Sequence, residues 1–218
     1  MNQFLKPSSS PLLPRPAVFL DRDGVLVEDV GLLRREEDVR LLPEVPEALA
    51  LLKAAGYDLV VVSNQAVVAR GLLDEAEVKA LQGHIEAQLR AVGAPLLDGF
   101  YFCPHHPKAD LKAYRRDCDC RKPRPGLILR AAMERRLDLS RSYLVGDRPT
   151  DLLAGQRAGC KTVWVHTGQH DAPLIQTSES SLEQPCADHT CGSLLEAARW
   201  ILAQSSSSTE VSALEAKR

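Results

Sequence analysis

The chain has little net charge, few aromatic residues and no long apolar run. Lys and Arg number 27 against 29 Asp and Glu, a net charge of −2, so no bulk attraction draws it to nucleic acid or an anionic membrane. No stretch approaches the roughly 20 apolar residues a membrane helix needs. The first sixteen residues hold two basic residues, Lys6 and Arg15, and no long apolar segment. A secretory signal is therefore not expected, and a reducing cytoplasm is. Six cysteines are present, but their placement argues against a disulfide framework. Cys103, Cys118 and Cys120 lie close to His105, while Cys160, Cys186 and Cys191 are scattered; a clustered Cys/His set outside the secretory route points to metal first.

What is present reads as an ordinary globular chain, 44% apolar and 26% charged, with one domain and two tails. Pro7, Pro11, Pro14 and Pro16 with Ser8 to Ser10 mark residues 1–16 as a flexible arm. Residues 17–204 form the domain, and the serine-rich stretch 205–218 reads as a disordered tail. Strand and helix patterns alternate. Val18–Leu20, Leu59–Val62, Phe100–Phe102, Tyr143–Val145 and Thr162–Val165 are short apolar runs suited to strands buried on both faces. Pro46 and Gly56 bracket a helix, and Asp74 with Glu77 starts another as a capping box. Helices also follow Pro125-Gly126, with Leu127, Ile128, Ala131 and Leu137 on the core side, and Asp147, and one spans Leu194–Ala203. Residues 27–42 mix charges with leucines and read as an exposed excursion. The pattern predicts an α/β fold: a parallel sheet with right-handed crossovers, flanked by helices.

Polar residues recur at three predicted strand ends: Asp21 and Asp23, Ser63 and Asn64, and Asp147. In an open parallel sheet these ends converge where ligands bind. Asp21 and Asp23, one residue apart before Gly24, would repel each other when packed together, and Mg2+ relieves that repulsion. The plainer alternative is a solvated turn. Cys103-x-His105 and Cys118-x-Cys120 offer four ligands suited to tetrahedral structural Zn2+ in a loop over 103–120, with His106 a rival to His105. That loop runs straight into Arg121 and Lys122, so a metal there would fix two cations at the mouth of the site.

Asp21-x-Asp23, Ser63, Lys122 and Gly146-Asp147 with Asp151 resemble, in order, the motifs of the haloacid dehalogenase (HAD) superfamily of phosphatases. The resemblance implies a three-layer Rossmann-like fold and an Asp21 nucleophile that forms an aspartyl phosphate. It makes Asp23 the acid and base, and Asp21, Asp147 and the Asp23 backbone carbonyl the ligands of Mg2+. Ser63 and Asn64 would donate to the phosphoryl group and Lys122 would offset its charge, with Asp151 and Arg148 in support. Cys103-Pro-His-His-Pro107 and Cys118-Asp-Cys-Arg-Lys-Pro123 narrow the match. They look like the D-glycero-D-manno-heptose-1,7-bisphosphate 7-phosphatases, whose zinc loop the histidinol-phosphatases share.

By that resemblance Arg121 and Arg70 would contact the distal part of a small sugar-phosphate substrate. The absence of a large insertion after motif one or two implies a nearly capless enzyme, and a monomer is expected because nothing suggests more. The chain departs from the family at Val25 and Val27 (Thr and Asn), Ser63 (Thr), Ala66-Val67-Val68 (Ser-Gly-Ile) and Arg148 (Lys). The catalytic set survives, but positions 25, 27 and 67 bear on substrate recognition: Val67 is β-branched where glycine allowed close backbone approach, and Val27 removes a polar contact. Two other readings stand beside the heptose one: a phosphatase of histidinol phosphate or another small sugar phosphate, and a non-catalytic, zinc-stabilised interaction protein.

Overall fold

β-branched and aromatic runs bounded by turn residues become strands. They are β1 (Ala17–Leu20), β2 (Asp58–Asn64), β3 (Gly99–Cys103), β4 (Tyr143–Gly146), β5 (Lys161–Val165) and β6 (His189–Cys191). In this computed structural model, which describes residues 13–168 and 186–215, all six pair in parallel in the order β3-β2-β1-β4-β5-β6. Successive side chains alternate between faces. Val18, Leu20, Val61 and Val145 pack with α1 (Val45–Ala54), α3 (Glu75–Ala91) and α6 (Leu194–Glu215), while the short α2 (Ala66–Ala69) follows β2. Phe19, Val60, Val62 and Leu144 pack with α4 (Gly126–Arg135) and α5 (Pro149–Ala158) on the other face. The result is three layers, as the sequence predicts.

The connections from β1 and β4 leave in opposite directions, toward α1 and α5. A crevice therefore opens between their carboxyl ends, the place where open α/β sheets bind ligands. Helix boundaries follow local chemistry. Pro46 lies in the first turn of α1, and Gly56 follows its end at φ +86°. At α3 the Asp74 carboxylate accepts from the Glu77 N–H at 2.8 Å, and the Glu77 carboxylate accepts from the Asp74 N–H at 2.7 Å.

The structure differs from the sequence reading in several places. β6 is too short and too polar to carry a strand signal of its own; pairing with β5 makes it one. Helix α4 stops at Arg135 because Arg136 turns left-handed at φ 55°, so Leu137 packs from beyond the helix. Residues 27–42 are not simply exposed. Val27, Leu33 and Val39 face the core, while the Glu28 N–H donates to the Arg40 carbonyl and folds the segment back on itself.

Helix α6 continues past Ser205 to Glu215, into the stretch read as a tail. Ser205 bonds the Tyr57 hydroxyl at 2.6 Å, and a docked helix propagates at low cost. Residues 1–12 of the expected arm, and 216–218, lie outside the described residues. Within the arm's last residues, Arg15 is already tied to Asp58 by a 3.0 Å ion pair. Val25 and Val27 both lie in the core, so the loss of a polar contact inferred at Val27 does not reach the crevice.

Replacing Asp74 with Ala removes the cap on α3. It is expected to cost about 1 kcal/mol, read as a Tm lower by about 2–4 °C in thermal unfolding, with activity unchanged.

Candidate active site

Directly after β1 the chain turns through Asp21, Arg22, Asp23 and Gly24. Gly24 holds φ +81°, and a Cβ there would stand 2.5 Å from Asp147 Oδ2. Glycine is required on both counts, and its absence of a side chain lets the β1 and β4 tips meet. Asp21 Oδ1 accepts from the Arg22 N–H at 2.7 Å and faces the Lys122 ammonium at 3.0 Å. The same ammonium meets Asp151 Oδ1 at 2.6 Å and donates to the Val62 carbonyl at 2.8 Å. Burial alone disfavours the Lys122 charge, but Asp151 and then Asp21 outweigh it and hold its pKa above the ordinary lysine value.

The Lys122 main chain is clamped as well. Its N–H donates to Asn64 Oδ1 and its carbonyl accepts from Asn64 Nδ2, both at 3.0 Å. A side chain at the end of β2 thus fixes the segment that leaves the cysteine loop.

Asp147 follows β4 and is 2% exposed, and among the described residues neither of its carboxylate oxygens has a hydrogen-bond partner. Burial, then the charges of Asp21 and Asp151, push its pKa up to about 8. Asp151 rises to about 6, driven by burial and opposed by Lys122. Oxygens of Asp21, Asp147 and Asp151 lie within 4.8 Å of one another. Asp151 is already engaged, with one oxygen on Lys122 and the other accepting from the Arg148 N–H at 3.0 Å. Asp147 is the member with capacity to spare, and two orphaned buried oxygens beside a second carboxylate fit a hard divalent cation.

Beyond β3, Cys103, His105, Cys118 and Cys120 converge. Their sulfurs are 3.2–3.5 Å apart, and His105 Nδ1 lies 3.4 and 3.7 Å from Cys120 and Cys103. These approach the edge lengths, roughly 3.8 Å, of a tetrahedron built on Zn–S bonds. Hydrogen bonding from Cys103 foremost pulls the Cys120 thiol down to about 5, while Cys103 and Cys118 are raised. A cluster that can hold one thiolate by itself fits a thiophilic dication. His106 stands apart, its Nδ1 accepting from the Lys108 N–H at 3.1 Å.

A cavity of about 1100 Å3 opens above the carboxylates. Arg70, His106, Arg121, Arg148 and Val67 line it, and so do Gly31 to Leu33 of the 27–42 segment. The crevice brings together Asp21, Asp23, Ser63, Asn64, Lys122 and Asp151, with Arg70, Arg121 and Arg148 among its walls. Asp147 adjoins Asp21. Asp23 stays out of the carboxylate trio; its side chain turns to Arg22 and Gln65. Sequence reasoning missed Arg22, Gln65 and Asp29. Asp29 is buried and pairs with Arg148 at 2.7 Å. The first two adjoin motif residues, the signal that could have found them; Asp29 carries no such sign.

Fold and site together define a HAD-like phosphatase, a phosphoric monoester hydrolase. The model of the family described as "HAD-hyrolase-like" matches residues 119–197. A D-glycero-beta-D-manno-heptose-1,7-bisphosphate 7-phosphatase of Photorhabdus laumondii is 43% identical over 155 residues, 71% of this chain and 82% of that protein. A D-glycero-D-manno-heptose-1,7-bisphosphate 7-phosphatase of Thermosynechococcus vestitus is 40% identical over 87% of this chain and 96% of its own length. The chain belongs to the family of D-glycero-D-manno-heptose-1,7-bisphosphate 7-phosphatases. Among solved structures, the D,D-heptose 1,7-bisphosphate phosphatase from B. bronchiseptica complexed with magnesium and phosphate superposes with a TM-score of 0.73. It is 31% identical, covering 87% of this chain and 99% of that one.

In metal-free protein Asp147 holds its proton more tightly folded than unfolded. Its contribution to stability is therefore full below the ordinary carboxylate value of 3.8 and lost as pH rises through about 8. Asp147→Asn is expected to flatten the fall in Tm across that window, measured in EDTA. A shallower fall from Asp151, ending near pH 6, should persist.

Proposed function

We propose that this chain is an Mg2+-dependent phosphatase that removes the 7-phosphate of D-glycero-D-manno-heptose 1,7-bisphosphate. The observation that carries the chemistry is the meeting of Asp21, Lys122, Asp147 and Asp151 in one crevice at the β1/β4 switch point. The substrate rests on relatives bearing that activity in their names at about 40% identity over most of their length. Mg2+ would be held by Asp21, Asp147 and the Asp23 carbonyl, where it offsets negative charge between carboxylate and phosphoryl oxygens.

Asp21 attacks phosphorus. Its oxygen forms the new P–O bond as the bond to the sugar oxygen breaks, and that electron pair stays on the sugar oxygen. Asp23 delivers a proton there, so a neutral hydroxyl leaves. Asp23, now a carboxylate, takes a proton from water as the water oxygen attacks the aspartyl phosphate. Inorganic phosphate departs and Asp21 is regenerated. Lys122 is placed to balance charge on Asp21 and the transferring group without leaving its carboxylate cage. Gln65 Nε2 donates to Ser63 Oγ at 2.9 Å, so the Ser63 hydroxyl proton is left to point at a phosphoryl oxygen. Arg121, Arg70 and Arg148 supply forked donors suited to the second phosphate. Of the family departures, Ser63, Ala66, Val67 and Arg148 meet the substrate space.

Zn2+ would be held by Cys103, His105, Cys118 and Cys120 as a structural tie. Cys103 ends β3 and its carbonyl accepts from the Gln65 N–H at 2.8 Å, while Arg121 Nη1 donates to the His105 carbonyl at 3.0 Å. The tie therefore sets where Arg121 and Lys122 enter the site. Six unbridged cysteines suit a reducing cytoplasm, and no described helix is long and apolar enough to cross a membrane.

With Mg2+ present, kcat/KM for the heptose bisphosphate is expected to exceed that for histidinol phosphate and fructose bisphosphate by more than about tenfold. Asp21→Asn should lower it at least about 10³-fold. A preference for histidinol phosphate would overturn the substrate and spare the chemistry. Cys118→Ser is expected to release zinc, measured as metal content, and to cost several kcal/mol of stability. Unchanged metal content would refute that site.

A further inference from the structure

Arg22 lies between the two aspartates, yet its side chain is 1% exposed. A guanidinium is costly to bury unless it is paired and hydrogen-bonded. Arg22 Nε reaches Asp23 Oδ1 at 3.1 Å, and Nη2 reaches Oδ1 and Oδ2 at 2.9 Å each. Nη2 also donates to Gln65 Oε1 at 3.0 Å. Gln65, itself 4% exposed, returns the contact, donating from Nε2 to Asp23 Oδ2 at 3.1 Å. The amide orientation is forced, because arginine can only donate and a carboxylate only accept.

The three side chains form a closed ring that joins the turn after β1 to the end of β2. Both Asp23 oxygens are gripped, and the second Gln65 bond, to Ser63, refers their position to a phosphoryl donor. The buried pair is a poor stability device, since well-packed apolar residues of similar volume often do as well. Its product is a carboxylate with a fixed orientation at the edge of the cavity.

We propose that Arg22 and Gln65 are positioning residues that hold the Asp23 carboxyl in line with the leaving oxygen. This rests on the acid/base reading of Asp23. A positioned acid matters most when the departing group is a basic alkoxide, as from a sugar, and least when it is a phenolate that leaves without a proton.

The test measures kcat/KM, which reports through the first phosphoryl transfer, for the full chain with Mg2+. Substrates are p-nitrophenyl phosphate and whichever of heptose bisphosphate, histidinol phosphate and fructose bisphosphate turns over fastest. Arg22→Met is expected to lose about 10²-fold on the sugar or alkyl ester and under about threefold on the aryl ester. Gln65→Leu should lose about tenfold with the same selectivity, and it carries the test if Arg22→Met does not fold. Equal losses on both esters, or no selective loss in the folded variants, would overturn the positioning role. Asp23→Ala separates the two ideas. If it too lacks selective loss on the alkyl ester, the acid/base reading of Asp23 fails; if it has the loss and the ring variants do not, the present inference alone fails.

Discussion

The Lys122 ammonium sits where four parts of the chain meet, and the crevice depends on it. It is enclosed by Asp21 beyond β1, Asp151 in α5 and the Val62 carbonyl of β2, and it arrives on the segment that leaves the cysteine loop. A buried ammonium with two carboxylates and a carbonyl has few alternatives of comparable energy. It therefore acts as a register pin: Asp21 and Asp151 cannot drift apart without stranding a charge away from water. Asn64 adds a second pin by holding both backbone groups of Lys122.

Charge balance explains the rest of the crevice. Asp21, Asp23, Asp147 and Asp151 line its base against the two buried cations Lys122 and Arg22. A phosphoryl dianion would meet net repulsion there, and the Asp147 oxygens, which lack a hydrogen bond among the described residues, mark where compensating positive charge belongs. The outer wall carries Arg70, Arg121 and Arg148 instead. The cavity thus divides into a carboxylate-rich base and an arginine-lined outer wall. A molecule with two separated phosphates matches that division of charge.

Among the described residues no cap domain closes the crevice, and two excursions shape it. The 27–42 segment buries Val27, Leu33 and Val39 and lends Gly31 to Leu33 to the cavity wall, while Asp29 reaches across to Arg148. The cysteine loop supplies the opposite wall and carries His106. Its Cys103, His105, Cys118 and Cys120 side chains draw the two ends of that excursion together.

Strand order, face alternation and the capped helices were legible because they rest on periodicity and local chemistry. Asp21, Ser63, Asp147 and the Cys/His set were legible because strand-end position and ligand spacing are written along the chain. Three kinds of feature were not. The length of α6 and the existence of β6 depend on docking partners. Val25 and Val27 looked like changes at the substrate, and only packing placed them in the core. The ring of Arg22, Asp23 and Gln65 joins residues 43 apart in sequence at its widest. An arginine between two acids reads as a solvated charge until the fold removes the water around it. The sequence by itself determined which groups could do chemistry; the tertiary structure decided which of them share a dry crevice, because burial and distance set how strongly charges act on one another.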